Sequence, residues 1–151
     1  MKGEKEMTIK QISVFLENKP GKLAEFVEFL RGHGIDLRAL SLAYAPDCGI
    51  APPRSDHTPK SQRWLAHAHD TDPSTPVIAV AVSDQPGALY EMLEAMREGS
   101  VNIEYTYAFT TRTDKGAYMV FRVADKSIDD AVKLLEKHNI KIVAQDDIYK
   151  L

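Results

Sequence analysis

The chain has 151 residues, 44% of them hydrophobic and 27% charged, which fits one ordinary domain or two small ones with enough length to bury a core. A formal net charge of -3 provides no basic footprint for phosphate backbones, so nucleic acid is not an expected partner. No apolar run approaches the roughly 18 residues of a spanning helix, the start MKGEKEM lacks the apolar stretch of a signal peptide, and the single cysteine, Cys48, closes no disulfide within the chain. A cytoplasmic protein with no membrane partner is expected.

In chain order, Ile12, Val14 and Leu16 alternate with Ser13, Phe15 and Glu17, the period of two of a strand. E-N-K-P-G-K-L follows at 17–23. Leu23, Phe26, Val27 and Leu30 then recur at three and four, which predicts a helix that starts near Pro20 and closes at Gly32 and Gly34 with positive φ. The same order returns 66 positions later. Ile78, Val80 and Val82 form a strand, S-D-Q-P-G-A-L occupies 83–89, and Leu89, Met92, Leu93 and Met96 form a helical stripe ended by Gly99. Ile35-Asp36-Leu37 falls on Val101-Asn102-Ile103, so about 26 positions match in one register, the mark of an internal duplication.

Beyond the second helix, V-N-I-E-Y-T-Y-A-F (101–109) and A-Y-M-V-F-R-V (117–123) predict a hairpin around Thr113-Asp114-Lys115-Gly116. A helix from Ser127, as N-cap, to about His138 turns Ile128, Ala131, Val132, Leu134 and Leu135 to a core; Asn139 stops it, and I-K-I-V-A is a last strand. The second half is therefore β-α-β-β-α-β, with both helices on one face of an antiparallel sheet.

This doubled pattern, with N-K-P-G-x-L and D-Q-P-G-x-L after the first strand of each copy, resembles the ACT domain, a ligand-sensing regulatory module. The similarity extends to short stand-alone proteins made of two ACT domains, whose second copy carries an I-E-Y-x-Y strand like Ile103 to Tyr107 and whose tail is like Asp147-Ile148-Tyr149-Lys150-Leu151. It covers residues 8–50 and 75–151. The resemblance implies an α+β protein of two ferredoxin-like domains, residues 7–75 and 76–151, with the second half of the first (51–75) atypical.

The stretch 51–76, which should hold the first copy's third strand, second helix and the start of its fourth strand, has five of the eight prolines and three of the five histidines. Trp64 and Leu65 are its only large apolar residues. Pro52 and Pro53 deny a central strand two donors, and a short helix from Pro59 to Ala68, capped by Thr58, is the one regular element it supports. It reads either as a surface insert or as the product of two compensating frameshifts, since synonymous codons for Ala51 to Arg54, read one base out of phase, can spell Arg-Leu-Val, a strand-like run.

Candidate chemistry is sparse. His57, His67, His69, Asp70 and Asp72 read as a solvated polar loop rather than a metal site, and Cys48 has no neighbouring base in sequence. Dinucleotide, Walker and nucleophile-elbow motifs are all missing, so no cofactor, metal or catalytic residue is expected. The Pro-Gly turns carry more. A helix N-terminus favours a carboxylate, Gly21 and Gly87 let a ligand approach the backbone, and Asn18 or Asp84 could meet an ammonium. An α-amino acid has both groups. In ACT domains the ligand commonly lies at this turn, and the resemblance carries that role onto Asn18, Lys19, Pro20, Gly21, Lys22 and Leu23, and onto Asp84, Gln85, Pro86, Gly87, Ala88 and Leu89.

Asn and Asp before Pro-Gly also form local Asx turns that simply start a helix, so a structural role stands beside the binding one. The corners differ, because Lys19 and Lys22 would welcome a carboxylate whereas Asp84 would repel one. Glu104, Tyr105 and Tyr107 could select a side chain, though packing explains the tyrosines equally well. The expected function is non-catalytic: an amino-acid-binding, allosteric regulatory protein, a homodimer by its resemblance, acting on an enzyme encoded elsewhere. The alternative is a ligand-free assembly protein that uses the fold for oligomerisation.

Overall fold

A computed structural model describes residues 7–14, 16, 19–35, 40–41, 48–50, 71–111 and 116–148. The chain divides into two compact units, residues 10–75 and residues 1–9 together with 76–151. The predicted helix over 59–68, the 113–115 turn residues and the end of the tail lie outside the described residues.

In the first unit, β1 (Ile9–Val14) leads into α1 (Lys22–Gly32), then to β2 (Leu40–Ser41) and β3 (Cys48–Ile50). β3 lies between the other two strands, antiparallel to β1 from Ile12↔Ile50 to Val14↔Cys48 and to β2 at Leu40↔Ile50. The first copy's third strand thus starts at Cys48, ahead of the proline-rich stretch in which it was sought. Phe26 and Leu30 bury the inner face of α1 against Val14, with Leu16, Phe29 and Ile35 around them.

The second unit repeats the order and completes it. β4 (Thr71–Val82) begins well before the predicted position 77, and α2 (Ala88–Glu98), β5 (Ile103–Thr110) and β6 (Ala117–Val123) follow. A 3-10 turn (Asp125–Ser127), α3 (Ile128–Lys137) and the short α4 (Gln145–Ile148) finish the described chain. β6 lies between β4 and β5, antiparallel to both. On the other side of β4 the expected final strand is reduced to one antiparallel bridge, Val80↔Ile142, with Ala81 N–H donating to Lys141 O (2.9 Å) and Val143 N–H to Ala79 O (2.8 Å). The strand order 4-1-3-2 within the copy is that of the ferredoxin-like fold.

Alternation along the strands gives this sheet two apolar faces. One face, formed by Ile78, Val80, Phe121 and Val123, packs against Met92, Ala95 and Met96 of α2 and Ala131 and Leu135 of α3. The other gathers Val77, Ala79, Tyr118 and Val120 with Ile9, Val143 and Ile148. A register shift between Ile103 and Tyr105 divides β5 between them. Ile103 packs with the helical face, while Tyr107 and Phe109 lie on the other, where the Phe109 ring stacks on Tyr118 at 5.3 Å.

The three longer helices among the described residues end alike. Gly34 (φ 66°), Ser100 (φ 54°) and Asn139 (φ 57°) adopt the left-handed conformation just past the last turn. The next amide then reaches back five residues, Ile35 to Leu30 O, Val101 to Met96 O and Ile140 to Leu135 O, each at 2.9 Å. This is the Schellman closure, and it folds an apolar side chain back over the helix end. Gly32 is the last residue of α1 and not the positive-φ position, which falls on Gly34. Gly99 serves close packing instead, since a Cβ there would run into the Leu134 side chain. Ser100 is the one of the three with neither a glycine backbone nor an amide side chain, so Ser100→Gly is expected to raise stability by about 0.5–1 kcal/mol. A thermal melt reads this, and a lowered midpoint would mean that the hydroxyl contributes more than the strain removed.

Ser127 sits at the N-cap of α3, but its side chain makes no cap hydrogen bond, because the 3-10 turn before it already extends the coil. Between the far ends of α2 and α3, Glu98 accepts from Lys137 Nζ and from His138 Nε2 (2.6 Å). The Lys137 hydrogen bond, then that of His138, holds the Glu98 carboxyl below the usual carboxylate range. A depressed acid stabilises the fold above its unfolded pKa, and the contribution fades as pH falls below about 4.5 through the folded value. Glu98→Gln should therefore lower the urea midpoint near neutrality while wild type and variant converge in acid; a difference that persists at about pH 2 would contradict this linkage.

Candidate functional site

Both corners are built in the same way. After β1, Lys22 N–H bonds back to Lys19 O (3.3 Å) across Pro20-Gly21, and after β4, Ala88 N–H bonds to Gln85 O (3.2 Å) across Pro86-Gly87. Gly21 has φ 87° and ψ -17°, and Gly87 has φ 93° and ψ -14°. These values belong to the third position of a type II turn, which favours proline at the second and requires positive φ at the third. Each glycine is also the N-cap, its carbonyl accepting the first helical bond, from Glu25 N–H (2.9 Å) and Glu91 N–H (3.1 Å). The prolines accordingly stand in the turn before the helix rather than in its first turn.

Each corner faces open space. Among the described residues, a Cβ built on Gly21 or Gly87 would meet nothing within 4 Å. Lys19, Pro20 and Gly21 are exposed and Lys22 and Leu23 half-buried; Asp84, Gln85, Pro86, Gly87 and Leu89 are exposed and Ala88 half-buried. Asn18 lies outside the described residues. Within the first turn of each helix, the amides that lack an intrahelical carbonyl point outward with the positive end of the helix dipole. Lys22 Nζ is held 2.9 Å from Glu25 Oε2, one turn along the helix.

The helical stripes are rotated from the sequence expectation. Leu89 and Leu93 are 45% and 41% exposed and Tyr90 64%, whereas Ala95, which was not singled out, is fully buried. The small Ala95 side chain lets α2 approach the sheet closely, which turns the neighbouring leucines outward. Val27 of α1, 40% exposed, is the counterpart of Leu93. At the other end of α2, Leu93, Met96, Arg97, Ser100, Val101, Asn102 and Ile103 line a shallow recess of about 550 Å³.

Glu104 and the tyrosines have structural partners. Arg122 donates from Nη1 to Pro76 O (2.8 Å) and pairs with Asp125 (2.8 Å) and Glu104 (3.4 Å), so it ties β4, β5 and the 3-10 turn together. Its signal in the sequence is the lone charge in A-Y-M-V-F-R-V. Burial, reinforced by the neighbouring Tyr105, pushes the Tyr107 phenol well above its ordinary range.

Of the polar residues weighed for a metal, His57, His67, His69 and Asp70 lie outside the described residues, as do the surroundings of Asp72 in β4. Among the described residues, no group of three His, Cys, Asp or Glu side chains is placed to hold a metal ion, and no helix is long and apolar enough to cross a membrane.

The architecture has known counterparts. The family model for an ACT domain pair matches residues 7–151. Protein BT0572 from Bacteroides thetaiotaomicron is similar over 98% of this chain and 100% of its own, at 32% identity and a TM-score of 0.79. Aspartokinase alpha and beta subunits (16% identity, TM-score 0.57, 89% of this chain and 94% of theirs) share the fold. So does the regulatory subunit of aspartate kinase from Thermus flavus (13% identity, TM-score 0.53, 87% of this chain and 92% of its own). No curated protein matches the sequence. With the family match spanning both copies, each opened by the same Pro-Gly corner, the chain belongs to the ACT domain family as an ACT domain pair.

Proposed function

We propose that this ACT domain pair is a non-catalytic regulatory protein that binds a small amphoteric metabolite, an amino acid, at its Pro-Gly corners. The observation that supports this reading most is the duplicated type II corner, open above the glycine at a helix N-terminus. Backbone amides there meet a carboxylate, and Asn18 or Asp84 meets an ammonium. Lys19 favours the first corner for the anionic end. The fold shared with the regulatory subunit of aspartate kinase from Thermus flavus supports a regulatory role, in which binding is passed to a separate enzyme. A ligand shifts that enzyme only by preferring one of two states.

Thermal melts of the whole chain with each common amino acid test the proposal, one or a few being expected to raise the midpoint. If one does, Asn18→Ala and Asp84→Ala are each melted with it, and undiminished responses in both would move the site elsewhere. A flat panel would instead favour an assembly protein, the second reading, for which the exposed Leu89, Tyr90 and Leu93 of α2 are the supporting observation.

A further inference from the structure

The recess at the C-terminal end of α2 combines an apolar lining with a cation. Leu93, Met96, Val101 and Ile103 supply the apolar part, and the exposed Arg97, Ser100 and Asn102 supply the polar part. Its volume of about 550 Å³ falls within the range of about 300–1,000 Å³ usual for small-molecule sites. Among the described lining residues Arg97 alone is charged. Arg97 Nη2 pairs with Glu94 Oε1, and a guanidinium carries more N–H donors than one carboxylate oxygen can engage. Its planar fork also matches a carboxylate with two parallel hydrogen bonds. None of the described lining residues offers a carboxylate to an ammonium, and Glu94 beside them is already paired with Arg97. An acid without an amino group therefore fits better than an amino acid.

The 66-residue repeat supplies an internal comparison. Val27, Leu30, Arg31 and Ile35 occupy the places in the first copy that Leu93, Met96, Arg97 and Val101 occupy in the second. Arg31 pairs with Glu28 (3.8 Å) as Arg97 does with Glu94. The copies part at the small polar positions, where Gly34 and Asp36 correspond to Ser100 and Asn102. An aspartate would repel an anion, whereas a hydroxyl and an amide can both donate to one. Ser100 moreover holds a left-handed backbone (φ 54°) that Gly34 (φ 66°) adopts without steric cost. Strain of this kind, kept where glycine would relieve it, is characteristic of functional positions.

We infer that the recess of the second copy binds a small monocarboxylate with an apolar body. Arg97 receives the carboxylate, Ser100 and Asn102 donate to it, and Leu93, Met96, Val101 and Ile103 cover its hydrocarbon. The Pro-Gly corner lies at the other end of α2, so this site stands whether or not the corners bind an amino acid.

Amide NMR titration of the whole chain with hexanoate tests the site, with saturable shifts expected at Arg97 and at 100–103. Hexanol, which has the body without the charge, and norleucine, which adds an ammonium, should both bind there more weakly. Arg97→Gln and Asn102→Asp should each weaken hexanoate about tenfold, and Arg31→Gln should leave it unchanged. Ser100→Gly should melt higher than the wild type yet bind hexanoate less well, a split that a merely structural serine would not produce. Shifts that never saturate, hexanol binding as tightly as hexanoate, or full affinity in Arg97→Gln would each overturn the inference. So would saturable shifts centred on 84–89, since the carboxylate would then prefer the Pro-Gly corner.

Discussion

Phe121→Ala is expected to cost the second unit about 3–5 kcal/mol of stability, the range for emptying a fully buried aromatic site. Phe121 is completely buried on the middle strand of its sheet, opposite Ile78 on one side and Thr106 on the other. Its ring stands where α2 and α3 both meet the sheet, among Met92, Ala95, Ala131 and Leu135. Neither helix can follow an alanine inward without losing its contact with the other strands. Small domains are stable by only about 5–15 kcal/mol, so a large share of the total is at stake. Urea unfolding should show a midpoint well below that of the wild type at an unchanged slope. A loss under about 1 kcal/mol would mean that the helices hold together without the ring between them.

The second large effect concerns the corners. An amino acid that occupies them should stabilise the folded chain by about 2.7 kcal/mol at a free concentration one hundred times its dissociation constant, since it binds the folded state alone. Gly87→Ala separates binding from folding. With φ at 93°, the alanine carries about 1–2 kcal/mol of left-handed strain although no described residue stands within 4 Å of its Cβ. The methyl group projects into the space the ligand would fill. The variant should melt lower in buffer and also lose part of the ligand-induced shift. If the full shift returns in Gly87→Ala and in Gly21→Ala alike, the ligand does not approach the backbone at either corner.

Much of the fold was legible because period and punctuation agreed. The 66-residue repeat places α1 and α2 in equivalent positions, and A-Y-M-V-F-R-V is a strand over its full predicted length. Where the reading departed from the structure, a tertiary choice had overridden a local one. Leucine at 89 and 93 satisfies the helical stripe as well as Ala95 does, and only the approach of α2 to its sheet decides which is buried. Pro20 obeys both a helix start and a type II turn, and the φ of Gly21 selects the turn. The last strand shrinks to one bridge because the chain turns at Ala144 into α4, which sends Ile148 into the core of the other face. For the candidate site, the motif located both corners, but open space above them and the tethering of Lys22 by Glu25 are properties of the folded chain. The Arg122 clamp was missed because its partners come from three separate segments.

On the binding role proposed for it, the Pro-Gly corner would set affinity as well as shape. Proline restricts its own φ before folding begins, and the helix that follows fixes the remaining amides of the turn. A ligand that docks there would find its hydrogen-bond donors already aligned and would spend little of its binding free energy on ordering backbone. Such a receptor can answer a small, weakly functionalised molecule at modest metabolite concentrations, and evolution can retune which molecule it answers through the side chains beside the turn while leaving the turn itself untouched.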